Sequence, residues 1–98
     1  MKFLLTYDFS REALKTFYPQ YNSNSKTYNN SYNEIKNFLT SKGFVWKQKS
    51  VYIGDFPTAQ YCINVIKQIA RKFQWLKPSV EDIRIFEIAQ ETDLKPLI

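Results

Sequence analysis

The chain contains no histidine. That absence removes a histidine general base, every Ser-His-Asp or Cys-His nucleophile, and any pair of histidines acting as acid and base. A single cysteine, Cys62, cannot close an internal disulfide, and with no histidine it leaves no Cys/His zinc set. Long apolar runs are missing too. Phe3-Leu4-Leu5 is broken at once by Thr6, Tyr7 and Asp8, short of the roughly 7–15 residues of a signal-peptide core or the roughly 20 of a membrane span. A soluble, cytoplasmic protein with no membrane partner is expected. Acids are scarce in the middle of the chain: residues 35–80 carry eight basic groups and one acid, Asp55.

What is present suits one small domain spanning 1–98. Leu, Ile, Val and Phe supply 28 of 98 residues, enough to keep the chain out of the disordered class. Net charge is +5, with +1 over residues 1–34, +7 over 35–80 and −3 over 81–98. A basic middle attracts polyanions; a solvated surface is the plain alternative. The acidic tail could answer the basic middle of a second copy.

Lys2 to Asp8 reads as a strand that is apolar on both faces, as a central strand would be. Ser10 is placed to cap a short helix, Arg11 to Phe17, stopped by Pro19. Residues 21–30, almost wholly Asn, Ser, Thr, Lys and Tyr, read as a loop or insertion. Tyr28, Ser31, Tyr32, Ile35, Phe38 and Leu39 make one stripe of an amphipathic helix over 28–42, ended by Gly43. Phe44 to Lys47 and Ser50 to Ile53 read as strands joined at Gln48-Lys49. Ala59, Cys62, Ile63, Ile66, Ile69, Ala70 and Phe73 mark a second amphipathic helix that Thr58 could cap; on that buried stripe Cys62 is expected to be an inert thiol. Trp75 to Ser79 is a connector, and Val80 to Ile88 a strand with Ile83 and Ile85 on one face and Arg84 and Phe86 on the other.

This order is that of an α+β, ferredoxin-like βαββαβ sandwich: a four-stranded antiparallel sheet with two helices on one face. The other face, with Tyr7, Trp46, Tyr52 and Phe86 as candidates, would then stand bare and call for a partner. A homodimer packed sheet to sheet is expected, with the C-terminal tail at its interface.

Asp8 is the acid at the carboxyl end of the first strand. Either it caps the next turn through the amides of Ser10 or Arg11, or a twofold axis near the strand end brings it to its mate. Two carboxylates meeting there could hold Mg²⁺ or Mn²⁺, which prefer hard oxygen ligands. Gln48, Ser50 and Tyr52 fall on one side of the hairpin if no bulge interrupts it. Flanked by Lys47 and Lys49, they could hold a phosphate and its leaving oxygen; simple turn chemistry is the alternative. Arg84 either grips a phosphate in bidentate fashion or pairs with Asp82 or Glu81. The Tyr and Trp side chains could stack unpaired bases or fill core and interface.

Taken together, Tyr7-Asp8-Phe9, Tyr32-x-x-Ile35-x-x-x-Leu39, Gly43-Phe44-x-x-x-Gln48-x-Ser50-Val51-Tyr52 and Trp75-x-x-x-Ser79-Val80-x-Asp82-Ile83-Arg84-x-Phe86 resemble the virulence-associated protein D (VapD) family across residues 2–88. The resemblance implies a ferredoxin-like dimer that cleaves single-stranded RNA, mRNA included, internally. It shares its fold and strand-end acid with the small CRISPR adaptation nucleases, and some members are toxins beside a small antitoxin protein. Carried over, the strand-end acid falls on Asp8 and the hairpin serine on Ser50 as catalytic residues. The fourth-strand arginine falls on Arg84, a substrate contact with Gln48, Lys47, Lys49 and Tyr52. Asp8 would either hold a metal or orient the ribose 2′-hydroxyl. A non-catalytic RNA- or protein-binding dimeric module is the alternative. The chain departs from the family at Phe9, where an aliphatic residue is usual, at Lys49, where glycine is common, and in the insertion-like 21–30. Lys49 is expected to change the hairpin turn.

Overall fold

Alternation along the first strand, β1 (Lys2–Phe9), decides which face of the sheet becomes the core. Phe3, Leu5, Tyr7 and Phe9 are buried, whereas Lys2, Leu4 and Thr6 take the other face and Asp8, beside a register shift at the strand end, is exposed. In the computed structural model, which describes residues 1–19 and 25–98, β1 lies between two antiparallel neighbours. One is β3 (Val51–Asp55), with Leu5 opposite Tyr52; the other is β4 (Val80–Ile88), with Thr6 opposite Arg84 and Asp8 opposite Asp82. β2 (Val45–Gln48) pairs antiparallel with β3, so the order is β2-β3-β1-β4. That is the ferredoxin-like arrangement.

Helices cover the Leu5 face. α2 (Ser25–Ser41) and α3 (Ala59–Lys72) send Ile35, Leu39, Cys62, Val65 and Ile69 into one cluster with Phe3, Leu5 and Tyr7. Each such side chain contributes about 1.5–3 kcal/mol by leaving water. Two shorter helices, α1 (Arg11–Phe17) and α4 (Leu76–Ser79), complete that layer. Ser10 caps α1, its Oγ accepting from the Ala13 N–H at 3.1 Å. Gly43 ends α2 at φ +100°, where a side chain would be strained.

Four expectations change. Residues 25–30 are helical rather than loop, so α2 starts a turn earlier than its apolar stripe indicates; residues 21–24 of the expected loop lie outside those described. Residues 76–79 form a helical turn, which tolerates Pro78 because first-turn N–H groups need no partner. Thr58 holds the N-cap position of α3 without a side-chain hydrogen bond. Of the four aromatics expected on the bare face, only Phe86 is there, 46% exposed. Tyr7 follows the buried parity of β1, Tyr52 pairs with Leu5, and Trp46 pairs with Tyr52, so these three share the helix-covered side. The uncovered face instead carries Leu4, Val51 and Ile53, with Val45 56% exposed at its edge. The tail after β4 reaches the far edge of the sheet, where Glu91 meets Lys47 at 3.5 Å.

Candidate active site

At the end of β1, between α2 and the β2–β3 turn, lies a cleft of about 540 Å³. Asp8, Lys49, Ser50 and Tyr52 line it from the sheet side. The Tyr7 N–H donates to the Ser50 carbonyl at 3.4 Å, which ties the backbone next to Asp8 to the turn that carries Ser50. The first alternative for Asp8 finds no support: the Ser10 amide donates to the Ser79 carbonyl at 2.8 Å, and the cap of α1 is the Ser10 hydroxyl. The carboxylate is exposed at the cleft rim.

The turn itself is held in an uncommon form. Lys49 stands at φ +44°, the left-handed region that glycine adopts without cost. Lys49, where the chain departs from the family pattern, thus holds a backbone conformation that favours glycine. Trp46 helps to hold it, its indole Nε1–H donating to the Lys49 carbonyl at 2.7 Å. We expect Lys49→Gly to raise stability by up to about 1 kcal/mol through relief of this strain. Thermal melts of the two chains check this effect.

The opposite wall comes from α2. Tyr28 and Tyr32 lie one turn apart, their hydroxyls 3.2 Å from each other. The Lys36 ammonium sits 3.5 Å from the centre of the Trp46 ring. Beneath, the Tyr7 and Tyr52 rings stack at 6.0 Å with hydroxyls 3.5 Å apart. Burial raises the pKa of Tyr7, Tyr32 and Tyr52. These phenols therefore stay neutral near pH 7 and serve as hydrogen-bond donors, not bases. The linkage has a definite sign. Their stabilising contribution is complete below the free phenol value near 10 and is lost as pH rises above it, by about 1.4 kcal/mol per pH unit for each such group. Alkaline titration should show the phenolate absorbance of these three tyrosines appearing together with loss of folded circular dichroism rather than before it.

Three expected substrate contacts lie elsewhere. A register shift between Trp46 and Gln48 interrupts the alternation, so Gln48 pairs with Val51 and does not share the Tyr52 side. Lys47 is paired to Glu91. Arg84 lies on the uncovered face, where its Nε donates to both Asp82 oxygens at 2.9 and 3.2 Å, which raises its pKa. Tyr28, Asn29, Tyr32, Asn33 and Lys36 line the cleft although sequence reasoning did not single them out as site residues. The signal was the i, i+4 repetition of Tyr and of Asn; the Tyr pair was read only as helix stripe, and Asn29 as part of a loop.

A family model described as CRISPR associated protein Cas2 matches residues 1–95. The chain is 37% identical over 78 residues to Endoribonuclease VapD 2 of Riemerella anatipestifer, covering 79% of this chain and 83% of that protein. It is 30% identical over 98 residues to Endoribonuclease VapD of Helicobacter pylori, covering 98% and 97%. The chain belongs to the Cas2/VapD family. Endoribonuclease VapD of Dichelobacter nodosus, another relative, is 29% identical over 96 residues, 98% of this chain and 96% of that one. The resemblance read from Asp8, the Gly43–Tyr52 hairpin and the Ser79–Phe86 strand is therefore correct, and the Cas2/VapD match runs through every element of the sheet. No described helix is long and apolar enough to cross a membrane.

Proposed function

We propose that this chain, an RNA-cleaving endoribonuclease by family, cuts single-stranded RNA, mRNA included, internally at the cleft beside Asp8, and works as a homodimer in the cytoplasm. The observation that carries the reading is one cleft shared by a carboxylate, a hydroxyl and two lysines: Asp8, Ser50, Lys49 and Lys36. Asp8 accepts the proton of a ribose 2′-hydroxyl as that oxygen bonds to phosphorus. The bond from phosphorus to the 5′-oxygen breaks, and the leaving oxygen takes a proton from water. The Ser50 hydroxyl and the neutral Tyr32 phenol donate to the phosphate, and the lysines offset its charge.

A divalent ion does not fit one chain alone. The described residues hold no group of three or more His, Cys, Asp or Glu, and Asp82, opposite Asp8, is engaged by Arg84. A Mg²⁺ or Mn²⁺ site would need the Asp8 carboxylates of two copies, and it would supply charge neutralisation at the phosphate. The uncovered apolar face with Leu4, Val51, Ile53 and Phe86 supports pairing of two copies. A small antitoxin protein that blocks the cleft would make the chain the toxin of a pair.

End-group analysis of cleaved single-stranded RNA tests the chemistry. A 2′,3′-cyclic phosphate, formed undiminished in EDTA, is expected; a 3′-hydroxyl product that requires Mg²⁺ or Mn²⁺ overturns the route through the ribose hydroxyl. Light scattering should find twice 11.7 kDa, and a species of one chain's mass removes the homodimer.

A further inference from the structure

The α2 wall of the cleft is not accounted for by phosphate chemistry. Asn is a poor helix former, because its amide competes for nearby backbone groups. Yet α2 places Asn29 and Asn33 at i and i+4, exposed and side by side at the cleft mouth. Each carboxamide offers a donor and an acceptor in one plane, the complement of a nucleobase edge. Behind them stand the Tyr28 and Tyr32 rings, with Trp46 across the cleft. Aromatic walls with a few polar groups are how unpaired bases are gripped, by stacking and edge hydrogen bonds. The volume of about 540 Å³ falls in the range of small-ligand pockets.

We propose that this cleft is a nucleoside pocket: one unpaired base of the RNA stacks on Trp46 in place of the Lys36 ammonium that now sits 3.5 Å from the ring centre, its edge is read by Asn29 and Asn33, and its phosphate lies toward Lys36, Lys49 and Asp8. The choice of RNA as the ligand rests on the function proposed above. The pocket would set which nucleotide stands beside the cleaved bond, a choice that Asp8 and Ser50 cannot make because they meet only the sugar–phosphate backbone.

Titration of the full chain with each nucleoside 5′-monophosphate, followed by NMR, tests the pocket without cleavage. At least one nucleotide should shift the Asn29 and Asn33 side-chain amides and the Trp46 indole N–H, and ribose 5-phosphate should bind about tenfold more weakly or worse. Asn29→Ala/Asn33→Ala should weaken the best nucleotide by at least about tenfold, and Asn33→Asp, which keeps the shape but removes the donors, should reorder the preference among bases. Both positions are exposed, so unchanged circular dichroism confirms that each variant is folded. Equal binding of ribose 5-phosphate, or amide shifts confined to other surfaces, overturns the pocket. If nucleotides bind there while RNA stays uncut, the pocket stands and the nuclease reading falls.

Discussion

Asp8→Asn should lower RNA cleavage at least about a hundredfold, as loss of a positioned proton acceptor typically costs 10²–10⁴, while leaving RNA affinity within a few-fold. The substitution keeps the side chain's shape and removes its basicity and its charge. Structural damage is not expected. Asp8 is exposed, it does not cap α1, and it faces Asp82 across the β1–β4 ladder. Removing one of two like charges directly opposite is neutral or mildly stabilising. The Tm of Asp8→Asn should therefore equal or slightly exceed that of the parent chain. Retention of activity within tenfold would show that the carboxylate is not the proton acceptor and that another group carries the chemistry.

Tyr52 separates packing from recognition. Tyr52→Ala should cost about 3–5 kcal/mol, the range for removing a large buried ring, and lower Tm by at least about 12 °C in a chain of this size. The residue is 1% exposed, pairs with Leu5 on the central strand, and stacks on Tyr7. Tyr52→Phe keeps all of this. It gives up a hydroxyl interaction with Tyr7 at 3.5 Å and should cost no more than about 0.5–1.5 kcal/mol. If Tyr52→Phe is well folded yet weak on RNA, the hydroxyl touches substrate through the cleft it lines. If cleavage is unchanged, Tyr52 is a core residue whose edge shows in the cleft. A Tyr52→Ala melt within 1–2 °C of the parent would contradict the packing described here.

Strands and helices were legible from local pattern. A short apolar, β-prone run marked β1, alternation of faces marked β4, and i, i+3, i+4 stripes marked α2 and α3, because each depends on which side chains leave water along a single element. Ser10 as the α1 cap and Gly43 as the α2 terminator were legible for the same reason: each acts within a few residues of itself. Where reading failed, the causes were local as well. Tyr7 and Tyr52 were assigned to the bare face, though the parity of Phe3, Leu5, Tyr7 and Phe9 already argues against it. The helical turn at 25–30 is built on residues with weak intrinsic preference, so its composition pointed to loop.

Of the site, Asp8, Lys49, Ser50 and Tyr52 were named from sequence and do converge. Gln48 dropped out because one bulge shifts pairing by a residue and turns that side chain to the other face. Lys47 and Arg84 found carboxylates at Glu91 and Asp82. Periodicity does not foretell the Lys47 pair, which depends on how the tail crosses the sheet, whereas the Arg84–Asp82 pair is the local alternative named from sequence, since residues two apart share a strand face.

Family, fold class and the strand-end acid follow from the order of residues alone, since spacing within strands and helices is set by backbone geometry that every chain shares. Which side chains meet across the cleft does not follow from it. That was decided by a bulge in β2, a left-handed lysine at the turn and the rotation of α2 over the sheet, because distances between elements depend on packing summed over the whole core.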